Sequence, residues 1–95
     1  MSGSFPHTFT VTCPTKEGEI VAVTGSSLDL GQWRRHAILP MVRDQGDTWS
    51  VAVDLSDDVT HQYRYCVVVM LQQQQQKKII VRKWETHLKP RLHIT

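Results

Sequence analysis

Helical periodicity is nearly absent from this chain, and that absence excludes more than any motif it carries. No stretch repeats apolar residues at three- and four-residue spacing long enough to give a helix a buried face. Helical bundles, and α/β folds that need crossover helices, are therefore excluded. No apolar run approaches the roughly 20 residues of a membrane-crossing helix. The opening MSGSFPHTF has neither the basic nor the apolar segment of a secretory signal. Residues 1–6 are expected to be flexible or partly an expression remnant. Cysteine is scarce: Cys13 and Cys66 make no disulfide framework. Both are expected to be reduced, small and mostly buried, in a cytoplasmic setting.

Chemistry-bearing patterns are missing as well. His7, His36, His61, His87 and His93 are scattered, and none has the close pairing with Cys or carboxylate that a zinc site needs. The Gly-Ser of VTGSS is not a nucleophile elbow, and Gly25 is not followed by the Gly-Lys-Thr ending of a phosphate-cradling loop. Asp57 and Asp58 fall in a turn, where solvated carboxylates are the plain expectation. The chain is read as a non-enzyme that needs no metal and no cofactor. Charge of one sign is not in large excess either. A net +2 and a pI near 8.7 neither demand nor exclude a polyanionic partner. Neither nucleic acid nor membrane is the expected partner.

Ninety-five residues make one small domain with a single core, so 1–95 is read as one module. What fills it is a series of short alternating runs rich in Val, Ile, Thr and Tyr. TFTVTC puts Phe9, Val11 and Cys13 on one face. EIVAVTG is more continuously apolar, as in a strand covered on both sides. TWSVAVDL aligns Trp49, Val51, Val53 and Leu55. HQYRYCVVVM aligns Tyr63, Tyr65, Val67 and Val69, with Gln62, Arg64 and Cys66 opposite. KIIVRKW and RLHI follow. Turns are expected at 16–18, 25–31, 44–47 and 56–59. The pattern predicts an all-β, immunoglobulin-like antiparallel sandwich of about seven to eight short strands. The low-complexity run Leu71–Lys78, with its five glutamines, is expected to lengthen a hairpin loop.

The tryptophans separate by context. Trp49 shares parity with Val51, Val53 and Leu55 and belongs in the core. Trp33 ends SSLDLGQW, a loop anchored by Leu28 and Leu30, and is followed at once by Arg34 and Arg35. Trp84 has the parity of Ile80 and Arg82. If Ile79 and Val81 point inward, it points out. Either the two rings cap the ends of the sandwich, or they stand exposed for a partner. A flat indole face suits the apolar face of a pyranose ring.

Taken in order, VTGSSLDLGQW, TWSVAVDL, YRY and KWET closely resemble the landmarks of the family 20 carbohydrate-binding modules, the starch-binding domains. The resemblance runs from about Phe9 to Ile94. VRKWETHLKPR is more particularly similar to the N-terminal module of eukaryotic glycerophosphocholine phosphodiesterases, cytosolic enzymes with a separate metal-dependent barrel domain. The resemblance implies a non-catalytic module that binds α-glucan, of the starch or glycogen kind, and is covalently linked to a catalytic domain. It implies that sugar stacks on Trp33 and Trp84, that Arg64 stands where the family has a polar-contact lysine, and that Glu85 follows the second tryptophan. Two departures accompany it. Lys89 and Pro90 occupy the region of a family asparagine, with Arg91 matching the arginine beyond. The loops TKEGE and VRDQGDT lack the tyrosines of the family's second site, so weak, single-site binding is expected. The alternative readings are a protein-interaction sandwich with lost or very weak sugar binding, favoured by those two departures and by the basic Arg34, Arg35, Arg82, Lys83 and Lys89, and a single-strand nucleic-acid binder, disfavoured by the modest net charge and the sandwich topology.

Overall fold

The structure, a computed structural model, describes residues 3–73, 76–84 and 91–93. Its strands are β1 (Ser4–Thr12), β2 (Ile20–Gly25), β3 (Leu39–Pro40), β4 (Val42–Arg43), β5 (Thr48–Ser56), β6 (His61–Gln73), β7 (Gln76–Trp84) and β8 (Arg91–His93). Two 3-10 turns, Leu28–Leu30 and Arg35–Ala37, lie between β2 and β3. All pairings are antiparallel. One sheet has the order β1-β5-β4. The other has the order β3-β2-β6-β7, with β8 also paired to β6. This is the expected immunoglobulin-like sandwich, and the expected turns fall between its strands.

The alternating residues of β1, β5 and β6 meet between the sheets. Phe9, Trp49, Leu55, Tyr65 and Val67 are buried there with Val21 and Val23 of β2. His7, Phe9, Tyr63 and Tyr65 run edge to face through this layer, with successive centroids 4.6, 4.9 and 5.8 Å apart. The Trp49 indole Nε1 donates to the Cys13 carbonyl at 3.2 Å, so the core tryptophan is also satisfied as a donor. β2 is covered on both sides, as its unbroken apolar run requires. Its other face, with Ala22, packs with Cys66 and Val68 under Ile38, which closes the second 3-10 turn.

Three expectations need correction. Ser4, Phe5 and Pro6 are not a loose leader: they pair with Ser56, Leu55 and Asp54 as the first part of β1. The glutamine run does not simply lengthen a loop, because Gln72 pairs with Lys77 and Gln73 with Gln76, carrying the β6–β7 ladder outward. Leu28 does not anchor its loop: it is 79% exposed, while Leu30 is fully buried.

Cys66 lies in the smaller cluster, and burial pushes its thiol up to about 12. At pH 8 it carries almost no thiolate, the reactive form. Cys13 is only half-buried, and both thiols are free. A thiol reagent added to the native chain is therefore expected to label Cys13 rapidly and Cys66 only on unfolding. Rapid labelling of both would contradict the packing around Cys66.

Candidate functional site

The outer face of the five-stranded sheet is where the indoles emerge. Trp33 is 41% exposed and Trp84 is 46% exposed, against 5% for Trp49. An open groove of about 440 Å³ is lined by Trp33, Gln62, Arg64 and Trp84. The structure thus brings together three of the residues singled out in the sequence, Trp33, Arg64 and Trp84. Glu85, Lys89 and Pro90 lie outside the described residues. Beside Trp84 a smaller cavity of about 240 Å³ opens towards Val11, Cys13, Val21 and Tyr65.

Trp84 faces outward for a different reason than strand parity suggested. Ile79 and Val81 do not point into the space between the sheets. They belong to the outer cluster with Ala22, Cys66 and Val68. The β6–β7 register slips between Val67 and Val68: Val68 faces Val81, whereas Val67 faces Lys83. Arg82 is the extra residue of a β-bulge, and it inverts the alternation beyond it. Trp84, opposite Cys66, therefore falls on the same outer face as Ile79 and Val81. The bulge aims the ring into the groove.

Arg64 is opposite Thr24 in the β2–β6 ladder and on the face away from Tyr63 and Tyr65, as its parity predicts. Gln62 is two residues earlier on the same face. The alternation in the sequence groups Gln62 with Arg64 and Cys66 without marking it as a site residue. The signal was the two-residue spacing in HQYRY.

Trp33 is held by a loop in which the side chains of Ser26, Ser27 and Asp29 each have a partner. Ser26 N–H donates to the Gln62 carbonyl at 2.9 Å, and Gln62 N–H returns a bond to Ser26 Oγ at 3.0 Å. Asp29 Oδ2 accepts from both Ser56 N–H and Ser56 Oγ, at 3.0 and 2.9 Å. His61, fully buried at the start of β6, has Nδ1 2.7 Å from Ser27 Oγ and Nε2 2.9 Å from the Ser56 carbonyl. A carbonyl only accepts, so Nε2–H donates to it; with Nε2 as the protonated nitrogen of the ring, Nδ1 is free to accept a hydrogen bond from Ser27 Oγ–H. The Ser27 carbonyl in turn accepts from Leu30 and Gln32 N–H.

That framework holds a conformation side chains rarely adopt. Gln32 and Trp33 have φ of 53° and 61°, in the left-handed region. Such backbone costs about 1–2 kcal/mol per residue. Bonds from Gln32 N–H to Ser27 and from Trp33 N–H to Gly25, at 3.0 and 2.8 Å, offset it. The two glycines of the motif are required by space. A Cβ at Gly31, where φ is 88°, would lie 2.5 Å from the Ala37 carbonyl oxygen, and one at Gly25 would overlap the Gln62 carbonyl oxygen and Leu30. Among the described residues, non-glycine left-handed backbone occurs only at Gln32 and Trp33, which present the indole, the pattern expected of a binding loop.

Comparison with known proteins bears on the family and the fold. The family model described as "Starch binding domain" matches residues 4–94. Among curated relatives, glycerophosphocholine phosphodiesterase GPCPD1 of Mus musculus is 32% identical over 91 residues, and that of Homo sapiens is 39% identical over 82 residues. These alignments cover 88% and 78% of this chain but 14% and 12% of the relatives, so the chain spans only a small part of their length. Among solved structures, the family 20 module of the maltotetraose-forming amylase from Pseudomonas saccharophila superposes with a TM-score of 0.78 at 16% identity, over 96% of this chain and 90% of that one. The family 15 glucoamylase from Hypocrea jecorina gives a TM-score of 0.70 at 23% identity, over 97% of this chain and 14% of that one. At such identities the two structures speak to the fold alone.

Proposed function

The chain belongs to the starch-binding domain family, and from that premise we propose that it binds α-glucan of the starch or glycogen kind in the groove between Trp33 and Trp84. Members of this family are non-catalytic carbohydrate-binding modules. The observation that carries the reading is the pair of half-exposed indoles lining one groove beside Arg64 and Gln62. The rings supply apolar area to pyranose faces, and the guanidinium and amide supply hydrogen bonds to hydroxyls. Glu85, next after Trp84, belongs to the proposed set on its match to the family pattern.

Magnitudes set the expected affinity. The accessible part of each ring is on the order of 100 Å², given that an aromatic side chain buries 150–250 Å² in full. Covering both contributes about 5 kcal/mol before ordering costs. With hydrogen bonds from Arg64 and Gln62 offsetting the ordering costs, one such site holds glucan at about 0.1–1 mM. A second aromatic site, which would add avidity, is not part of the proposal.

The wider role is also a proposal. The relatives named glycerophosphocholine phosphodiesterase support a module that tethers a linked phosphodiesterase to polysaccharide, and two free thiols are compatible with a cytoplasmic setting. Titration with maltoheptaose, followed by tryptophan fluorescence, tests the binding step. A saturable change at or below millimolar sugar is expected. No response at that concentration would refute glucan binding and favour a sandwich whose partner is a protein.

A further inference from the structure

The chain's small net charge conceals a segregation by sheet. From Leu30 to Met41, and again from Val59 to Trp84, there is no aspartate or glutamate, and β2 has none. These stretches hold β2, β3, β6 and β7 of the five-stranded sheet and the 3-10 turn Arg35–Ala37. They carry Arg34, Arg35, Arg64, Lys77, Lys78, Arg82 and Lys83, although Glu19, just before β2, lines a groove with Arg82 and Lys83. Asp44, Asp47 and Asp54 lie instead on the three-stranded sheet and its turn, and Asp57 and Asp58 follow β5. Arg43 of that other sheet is paired, its guanidinium 2.9 Å from Asp47. Arg35 and Lys78 have no carboxylate partner among the described residues. A neutral polysaccharide gives no reason to gather cations on the sheet that binds it, where they repel one another.

A second groove explains what they can hold. It measures about 390 Å³ and is lined by Arg35, His36, Lys78 and Ile79. Arg35 comes two residues after Trp33, so the segment 33–36 borders both grooves. The turn is fixed in place because Ile38, at its end, is buried against Ala22, Cys66 and Val68. Ile79 and Trp84 face Met70 and Cys66, four steps apart on β6 because of the bulge, so they lie about 13 Å apart along the strand. A glucan several units long, seated on the tryptophans and crossing this turn, reaches the groove with a substituent. A phosphate monoester carries a charge of about −1.5 to −2 and three strong acceptor oxygens. A guanidinium, an ammonium and an imidazole with no carboxylate among them suit it.

We propose that Arg35, His36 and Lys78 form a phosphate-monoester subsite beside the tryptophan groove, so that the module prefers phosphorylated α-glucan to the unsubstituted chain. The subsite rests on the glucan reading above. A phosphorylated glucan fits better than an anionic membrane because the charged groove shares its bordering segment with the tryptophans.

The test is equilibrium binding of the 95-residue chain to phosphorylated maltodextrin and to the same material after phosphatase treatment. At low ionic strength the phosphorylated form is expected to bind about tenfold more tightly, with the advantage shrinking as salt screens it. Millimolar inorganic phosphate should remove the advantage without displacing the treated form. The variant R35A/K78A should bind the treated form as the parent does and lose the preference. Equal affinity of the parent for the two forms overturns the subsite while leaving the glucan reading intact. Failure of both to bind overturns the glucan reading itself, and the subsite with it. Vesicles containing phosphatidylserine that bind the parent, are not displaced by maltodextrin and are lost to R35A/K78A would assign the cations to a lipid surface and overturn the proposal.

Discussion

Trp33→Ala and Trp84→Ala are each expected to abolish retention on amylose or glycogen resin. Each removes one of two stacking surfaces from a groove that has no other aromatic lining among the described residues. Losing about 2–3 kcal/mol from a site of about 5 kcal/mol moves dissociation constants by roughly 30- to 150-fold, beyond what a resin retains. The fold should survive, because both rings are about half exposed and neither belongs to the clusters around Phe9 or Cys66. Substitutions of that kind change stability by about 0.5 kcal/mol, or a few degrees in the melting temperature. Retention equal to the parent's in both variants would show that sugar binds elsewhere or not at all.

His61→Leu is expected to be costly in both stability and binding. The ring is fully buried and bonded at both nitrogens. Leucine fills much of the space but leaves the Ser56 carbonyl and the Ser27 hydroxyl without their partner. Each unsatisfied group costs about 1–3 kcal/mol, so a loss of about 3–4 kcal/mol is expected. In a domain of this size that lowers the melting temperature by roughly 15–25 °C. Ser27 also carries the carbonyl that receives Gln32 N–H, so the left-handed turn at Trp33 loses part of what offsets its strain. Glucan affinity measured well below the melting transition should fall as well. His61→Gln, which can still reach one partner, should recover part of both. Thermal unfolding and maltoheptaose titration of the two variants check this, and a leucine variant that melts and binds like the parent contradicts it.

The parts of the fold legible in the sequence were those fixed by local alternation. Trp49, Val51, Val53 and Leu55 declare the inner face of β5 because one side of that strand is solvated. β3 and β4, two residues each, leave no period to read. The glutamine run carries no apolar pattern, so pairing through Gln72 and Gln73 could not be inferred from it. The bulge at Arg82 is a property of two strands together. No single-strand pattern contains it, and parity reached the right exposure for Trp84 by an argument whose premise, Ile79 and Val81 facing inward, was wrong. Of the site, the loop tryptophan and the outward arginine were readable from glycine placement and two-residue spacing. His61 was not, because one histidine among five gives no sign of which residues fold against it. Leu28 and Leu30 show the same limit: the backbone of the 3-10 turn, not hydrophobicity, decides which one is buried.

The central claim is that two indoles outside the core form one sugar platform. The most direct measurement is of the indole Nε1–H resonances of the three tryptophans during titration with maltoheptaose. The signals of Trp33 and Trp84 should move together along one saturable curve, while that of Trp49, bonded to the Cys13 carbonyl between the sheets, stays in place. Movement of only one of the pair, or of Trp49 in step with them, would contradict the account.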